Sequence, residues 1–299
     1  MLGLFLTASL VSLLYVPVTI GLAMAFRLLN YPDLTCEGSF MFGGALSLFA
    51  LEAGCPPSLS MLCGVAGGFV AGALTAVLHT RLKVSRLLSG IITSAILYSV
   101  TIRLLGGRAN KRVTKATIFD ALDIGNLDLQ DLLVAGIVAV VALGFCWALY
   151  RSRLGRVLRA LGDQAWFCVS LGKDPKLFLV VGLGMANAVI ALAGATLVHF
   201  KRVCDVNMAF GVLVAALAGL VLGETVYAAK SVWTHSAMCL VGTGIYNVAL
   251  GAFYFDWGIG IERVVLPSDV RLVTGLLLIL PAIILLRVRG RYKLFNSNW

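Results

Sequence analysis

Long stretches without Asp, Glu, Lys or Arg recur along this chain, among them residues 38–51, 53–80, 87–102, 132–150, 177–200, 206–223 and 272–286. A helix needs about 20 apolar residues to cross a bilayer, and most of these runs reach or approach that length. Only 13% of the 299 residues are charged and 60% are hydrophobic. Soluble domains carry about 25% charged residues, so a water-soluble fold is excluded. The expected class is an all-α, polytopic membrane bundle in one transmembrane domain covering 1–299.

The net charge of +10 could suggest a nucleic-acid partner. The basic residues instead gather at span ends on one side, as the positive-inside bias requires, and membrane lipids are the expected surroundings. No nucleic acid is expected. The seven cysteines are scattered without metal-ligand spacing. Cys55 and Cys204 fall in expected external loops, where free thiols are favoured over a disulfide.

The first span is expected over 1–26, retained rather than cleaved, with Pro17 as a kink. Pro32 breaks the chain, and Asp33 or Thr35 can cap a second span running to about Leu51. Asp33 and Glu37 stand at the edge of that short, Gly-rich segment. It either lines a cavity, where unwound backbone is tolerated, or forms an ordinary interfacial turn. The third span, 58–79, carries Gly64, Gly68, Gly72 and Ala76 at four-residue intervals, a ridge for close helix contact. A basic loop, 81–86, precedes the fourth span. Residues 106–131 read as an external mixed-charge segment, and the fifth span ends at Tyr150.

The longest charged interruption follows, 151–176. Leu154, Val157, Leu158 and Leu161 recur at helical spacing among arginines. Gly162-Asp163 is expected to stop that helix, with Asp163 capping a second one over 164–171. Gly172 suits the C′ position, and Asp174-Pro175 the start of the next span. The second helix, roughly 12 Å long at 1.5 Å per residue, carries Trp166, Phe167, Val169 and Leu171. Apolar side chains on more than one face of so short a helix call for a partner's groove.

The sixth span, 177–199, holds Asn187, which either bonds helix to helix or contacts a solute, the first being favoured. An external turn, 200–208, contains Asp205 and Asn207. The run 211–223, too short to cross alone, reads as a half-helix ending at Glu224. Spans over 232–253 and 270–286 follow, then a basic tail. This makes about nine spans, with the C-terminus cytoplasmic and the N-terminus outside. No catalytic constellation is found. Gly172-Lys173 lacks the glycine that opens a Walker pattern, so no ATP site is expected in this chain.

The residues at this point resemble a family. Leu161-Gly162-Asp163 and Leu171-Gly172 are similar to the cytoplasmic coupling segment of ABC importer permeases in the branched-chain amino-acid and ribose permease superfamily. A narrower resemblance is to permeases paired with tryptophan- or tyrosine-type binding proteins. It is carried by FRLLNYPDLTCEGS at 26–39, residues 88–93, Gly107-Arg108-Ala109-Asn110, Thr117-Ile118-Phe119-Asp120, Asp205-Val206-Asn207-Met208 and LAGLVLGE at 217–224. Ala209 and Phe40-Met41 depart from that pattern. The resemblance implies a type II-like permease of the bacterial inner membrane, pairing with a second permease subunit, in the first instance a copy of itself. ATP-binding subunits would hold ATP and Mg, and a periplasmic or lipid-anchored substrate-binding protein would deliver a small solute, an amino acid being favoured. Asp163, Trp166, Phe167, Leu171 and Gly172 would couple to the ATPase. Glu37, Ser39, Phe40, Asn187, Asp205 and Asn207 would approach the translocation pathway. The rival reading is an ion-coupled secondary transporter, which calls for carboxylates within the membrane; the acidic residues here are expected at span edges.

Overall fold

The computed structural model describes residues 2–121, 127–170, 172–226 and 232–254, with 275 and 279. Leu171, the tail after Arg287 and the expected ninth span, apart from those two positions, lie outside the described residues. Ten α-helices run through the described chain. They are α1 (Leu2–Ala23, continued by a π-helical turn Met24–Leu28), α2 (Cys36–Glu52), α3 (Pro57–Leu82), α4 (Arg86–Leu104) and α5 (Leu127–Arg151). After them come α6 (Arg153–Asp163), α7 (Ala165–Ser170), α8 (Pro175–Lys201), α9 (Val212–Val226) and α10 (Val232–Tyr254).

Among the described residues, six helical segments are long and apolar enough to cross a membrane. They are Ala8–Leu28, Pro57–Leu82, Arg86–Leu104, Leu129–Arg151, Pro175–Lys201 and Val206–Val226. The protein is therefore a multi-pass membrane protein. The expected seventh element needs correcting. Val212–Val226 is 15 residues, but its 3-10 lead-in, Val206–Ala209, extends the apolar segment to 21. By contrast, α2, with 17 residues, falls short of a full crossing.

Local chemistry explains the boundaries. Ser85, Ser152 and Asp174 cap α4, α6 and α8, their side chains accepting from the amides of Leu88, Gly155 and Lys176. Pro57 and Pro175 occupy first-turn positions, where the missing amide costs nothing. Lys83 ends α3 in the left-handed region at φ 55°, behind His79 and Arg81, whose position suits the helix dipole.

The core is built around α8, which packs against α1, α2 and α3. The glycine ridge of α3 makes this possible. A β-carbon at Gly64 would lie 2.6 Å from the Gly43 carbonyl oxygen, at Gly68 2.5 Å from that of Asn187, and at Gly72 2.2 Å from that of Leu183. These contacts run α3 antiparallel to α8, while Ser39, Gly43 and Ser47 meet Asn187, Ala191 and His199, so α2 runs parallel to it.

At the end where α4 and α8 finish, the segment between α4 and α5 is tied down in a way the sequence did not suggest. β1 (Asn110–Arg112) pairs antiparallel with β2 (Val203–Asp205), Asn110 opposite Asp205 and Arg112 opposite Val203. Lys111 bonds Glu52 and Arg202 bonds Asp120. Partial burial works against ionisation of Asp120, but the Thr117 amide and hydroxyl and the Arg202 guanidinium outweigh it and hold its carboxyl below the usual range. His199 stitches this end together, accepting the Ile118 amide at 3.2 Å through Nδ1 and meeting the Ser47 and Ser60 hydroxyls through Nε2. Cys55 and Cys204 are both free thiols.

Candidate functional site

Two helices begin inside the bundle rather than at its ends. After the π-helical turn of α1, residues 29–35 fold back, and α2 starts level with the middle of α8. Asp33 makes the turn: its Oδ1 accepts the Thr35 amide at 2.8 Å, and its Oδ2 accepts Asn187 Nδ2 at 2.6 Å. Ser39 donates to Asn187 Oδ1 at 2.7 Å, and the Thr35, Thr75 and Thr93 hydroxyls continue the chain of bonds at 2.7 and 2.9 Å. Asp33, Thr35, Ser39, Thr75, Thr93 and Asn187 are all fully buried. This network supplies the polar partners that unwound backbone at membrane depth requires.

On the other side of α2, the chain after β2 dips back into the bundle and starts α9. The Gly211 amide donates to Glu37 Oε1 at 2.9 Å, so a carboxylate from one interior helix start sits on the start of the other. Arg27 grips Glu224 in a bidentate pair at 2.6 and 2.5 Å, tying the far end of α9 to the end of α1. Around Glu37 lies a cavity of about 450 Å³, walled by Tyr15, Phe210, Val214, Tyr246 and Asn247.

The expected pathway residues therefore separate. Glu37 faces the cavity. Ser39 and Asn187 lie in the buried network, and Phe40, 1% exposed, stacks on Tyr15 with ring centroids 6.3 Å apart. Asp205 caps the 3-10 turn leading to α9, accepting the Asn207 amide at 2.7 Å, and Asn207 is exposed there. Tyr15, Phe210, Tyr246 and Asn247 were not among the expected site residues. The adjacent Tyr246-Asn247 in an apolar span was the available signal; nothing local marks Tyr15 or Phe210.

The charged interruption forms two helices as expected, with one correction. Helix α6 runs through Gly162 and Asp163, and the break comes at Gln164, φ −154°. Asp163 is thus the last residue of α6. Gly162 permits close approach instead of stopping the helix, since a β-carbon there would lie 2.2 Å from the Leu28 carbonyl oxygen. Gly172 closes α7 as expected, at φ +68°, its amide bonded to the Val169 carbonyl and that of Lys173 to Cys168. On α7, Trp166 and Val169 are 65% and 61% exposed. Leu171 and the Phe167 side chain lie outside the described residues.

Two helices that start inside a multi-span bundle, and a short helix pair between two spans, are what position this site. The chain belongs to the branched-chain amino acid transport system / permease component family, whose model matches residues 4–282. It is 27% identical over 268 residues to a tyrosine transport system permease protein of Clostridioides difficile (strain R20291), covering 90% of this chain and 86% of that one. An uncharacterised protein of Rickettsia prowazekii (strain Madrid E) is 25% identical over 281 residues, 92% of this chain and 95% of that one. Its fold is similar to PsaBC from Streptococcus pneumoniae in complex with Fab, at TM-score 0.55 and 13% identity, covering 93% of this chain and 89% of that one. A metal-chelate type ABC transporter in an inward-facing conformation matches at TM-score 0.50 and 16% identity, covering 96% of this chain and 87% of that one. This chain is the permease subunit of an ABC importer.

Proposed function

We propose that this permease moves an amino acid with an aromatic side chain across the bacterial cytoplasmic membrane, driven by ATP-binding subunits that dock on α6 and α7. The observation that carries the reading is the exposed apolar surface of α7 on a helix pair strung between two spans. Six residues cannot hold a helix alone in water, where isolated helices shorter than about 12–15 residues are marginal. Order therefore comes from the Gly172 terminus and from burial against neighbours, and exposed Trp166 and Val169 offer that burial to a partner. The arginines of α6 mark this end as cytoplasmic, which puts the β1–β2 ribbon outside, where a substrate-binding protein would deliver solute. The tyrosine transport relative supports the solute class. Two copies around a shared pathway complete the assembly, and ATP with Mg belongs to the partner subunits.

Ion-coupled transport finds one observation in its favour. Asp33, expected at a span edge, is fully buried at mid-depth. Both of its carboxylate oxygens, however, already accept bonds from this chain's own donors, which makes it a structural group here.

Burying one large apolar side chain contributes about 1.5–3 kcal/mol. Trp166→Asp with Val169→Asp should therefore leave the permease in the membrane at normal levels and weaken capture of the ATP-binding subunits at least tenfold. Co-purification and hydrolysis stimulated by the loaded binding protein read this out. Full assembly with full stimulation would remove α7 from the coupling path.

A further inference from the structure

We infer that the cavity between α1, α2, α9 and α10 holds one α-amino acid with a large apolar side chain, its ammonium on Glu37 and its carboxylate on the first amides of α9. This deepens the import reading and rests on it.

Open polar groups of both signs converge on the cavity. Glu37 spends Oε1 on the Gly211 amide; Oε2 has no partner among the described residues. It is the one charged side chain among the described residues that line the space, so an ammonium is the group it lacks. At the start of α9, Ala215 is the first amide to find a helical acceptor, the Gly211 carbonyl at 2.9 Å. The Val212, Leu213 and Val214 amides have no acceptor among the described residues, and Val212 and Val214 line the cavity. Such amides, at the positive end of a helix dipole, suit a carboxylate.

An independent sign comes from Asn247. It is only 6% exposed and lines the cavity. Its Nδ2 donates to the Thr243 carbonyl at 2.9 Å, while its Oδ1 has no donor among the described residues. On a residue that lines the cavity, that open amide oxygen is placed to accept from an occupant. The Tyr15 hydroxyl likewise makes no hydrogen bond within the described residues. The remaining wall, with Phe210, Val214 and Tyr246, is apolar and aromatic. A volume of about 450 Å³ stands at the small end of ligand pockets, which run from about 300 to 1,000 Å³. One carboxylate, several free amides and an aromatic wall in that space match a zwitterion with one bulky apolar side chain. They do not match a sugar, which would call for many neutral hydrogen-bonding groups.

The test uses the assembled transporter in lipid nanodiscs, without the binding protein, and tritiated L-tyrosine. Tyramine lacks the carboxylate and 3-(4-hydroxyphenyl)propionate lacks the ammonium. Saturable tyrosine binding is expected, with each analogue weaker by about tenfold or more, the loss of one charge-assisted contact. Glu37→Gln should weaken tyrosine by a similar factor and leave the propionate unchanged, because that analogue has no ammonium to lose. Phe210→Ala, at a half-exposed position, should weaken all three ligands alike. Absence of saturable binding, or Glu37→Gln weakening tyrosine and the propionate equally, overturns the assignment. If Glu37→Gln does not fold, the analogue series on the native protein decides alone: equal affinity for tyrosine and both analogues refutes the site. ATP-driven uptake that persists beside such a result would condemn this site only, whereas loss of ATP-driven uptake would condemn the import reading.

Discussion

Gly72→Leu should leave almost no folded permease in the membrane. A β-carbon at Gly72 meets the Leu183 carbonyl at 2.2 Å and Asn187 Nδ2 at 2.8 Å. Backbone cannot yield as a flexible side chain can, so α3 would have to move off α8. In lipid, the attraction between such helices is van der Waals contact and hydrogen bonding rather than a hydrophobic drive, and both fall steeply with separation. Overpacking by even a few methylenes costs about 1–3 kcal/mol. Here the displacement would also pull apart the Asn187 network, so the loss should reach the whole of the fold's margin, about 5–15 kcal/mol. Gly144 provides the control: a β-carbon there meets nothing within 4 Å. Gly144→Leu should accumulate like the native protein. Membrane-fraction levels with fluorescence-detected size exclusion compare the two, and equal recovery would show that the glycine ridge is not a packing requirement.

Asn187→Leu comes next in size. The native amide gives Nδ2 to Asp33 and takes the Ser39 hydroxyl on Oδ1, with all three residues fully buried. Leucine fills the space but leaves a carboxylate oxygen and a hydroxyl unmatched in a dry interior. Each unmade bond costs about 1–3 kcal/mol, and stripping a partner from a buried charge costs about 3–5 kcal/mol. A large fall in thermal stability follows, measured as the loss of monodisperse protein on heating. The exchange Asp33→Asn with Asn187→Asp keeps both an amide and a carboxylate at the junction. It should recover part of the loss, which a pure packing defect would not allow. A single variant as stable as the native protein would show that the network adds nothing.

What the sequence made legible is what local chemistry decides. Asp174-Pro175 and Gly172 did what their backbone preferences require, and the four-residue spacing of Gly64, Gly68 and Gly72 marked a real contact. Asn187 stood out as a polar group in an apolar span, and the favoured helix-to-helix role matches its bonds to Ser39 and Asp33. Gly162 misled because a glycine that ends a helix and one that admits a neighbouring backbone look alike until the neighbour, Leu28, is known. The cavity was not legible. Glu37 meets Gly211 across 174 positions of chain, and Tyr15 joins them from a third helix. The β1–β2 ribbon, between two polar loops with no alternating pattern, is equally non-local. Val206–Val226 was read short because its lead-in lies in a turn, whose apolar residues reach the bundle only once the chain folds back.

The central claim is that this chain carries solute only in partnership with a separate ATPase. Vesicles holding the permease with its ATP-binding subunits and binding protein, assayed for uptake of tritiated L-tyrosine, test it most directly. Uptake should require ATP and the loaded binding protein, and should persist when proton and sodium gradients are collapsed. Uptake by the permease alone, driven by either gradient without ATP, would contradict it.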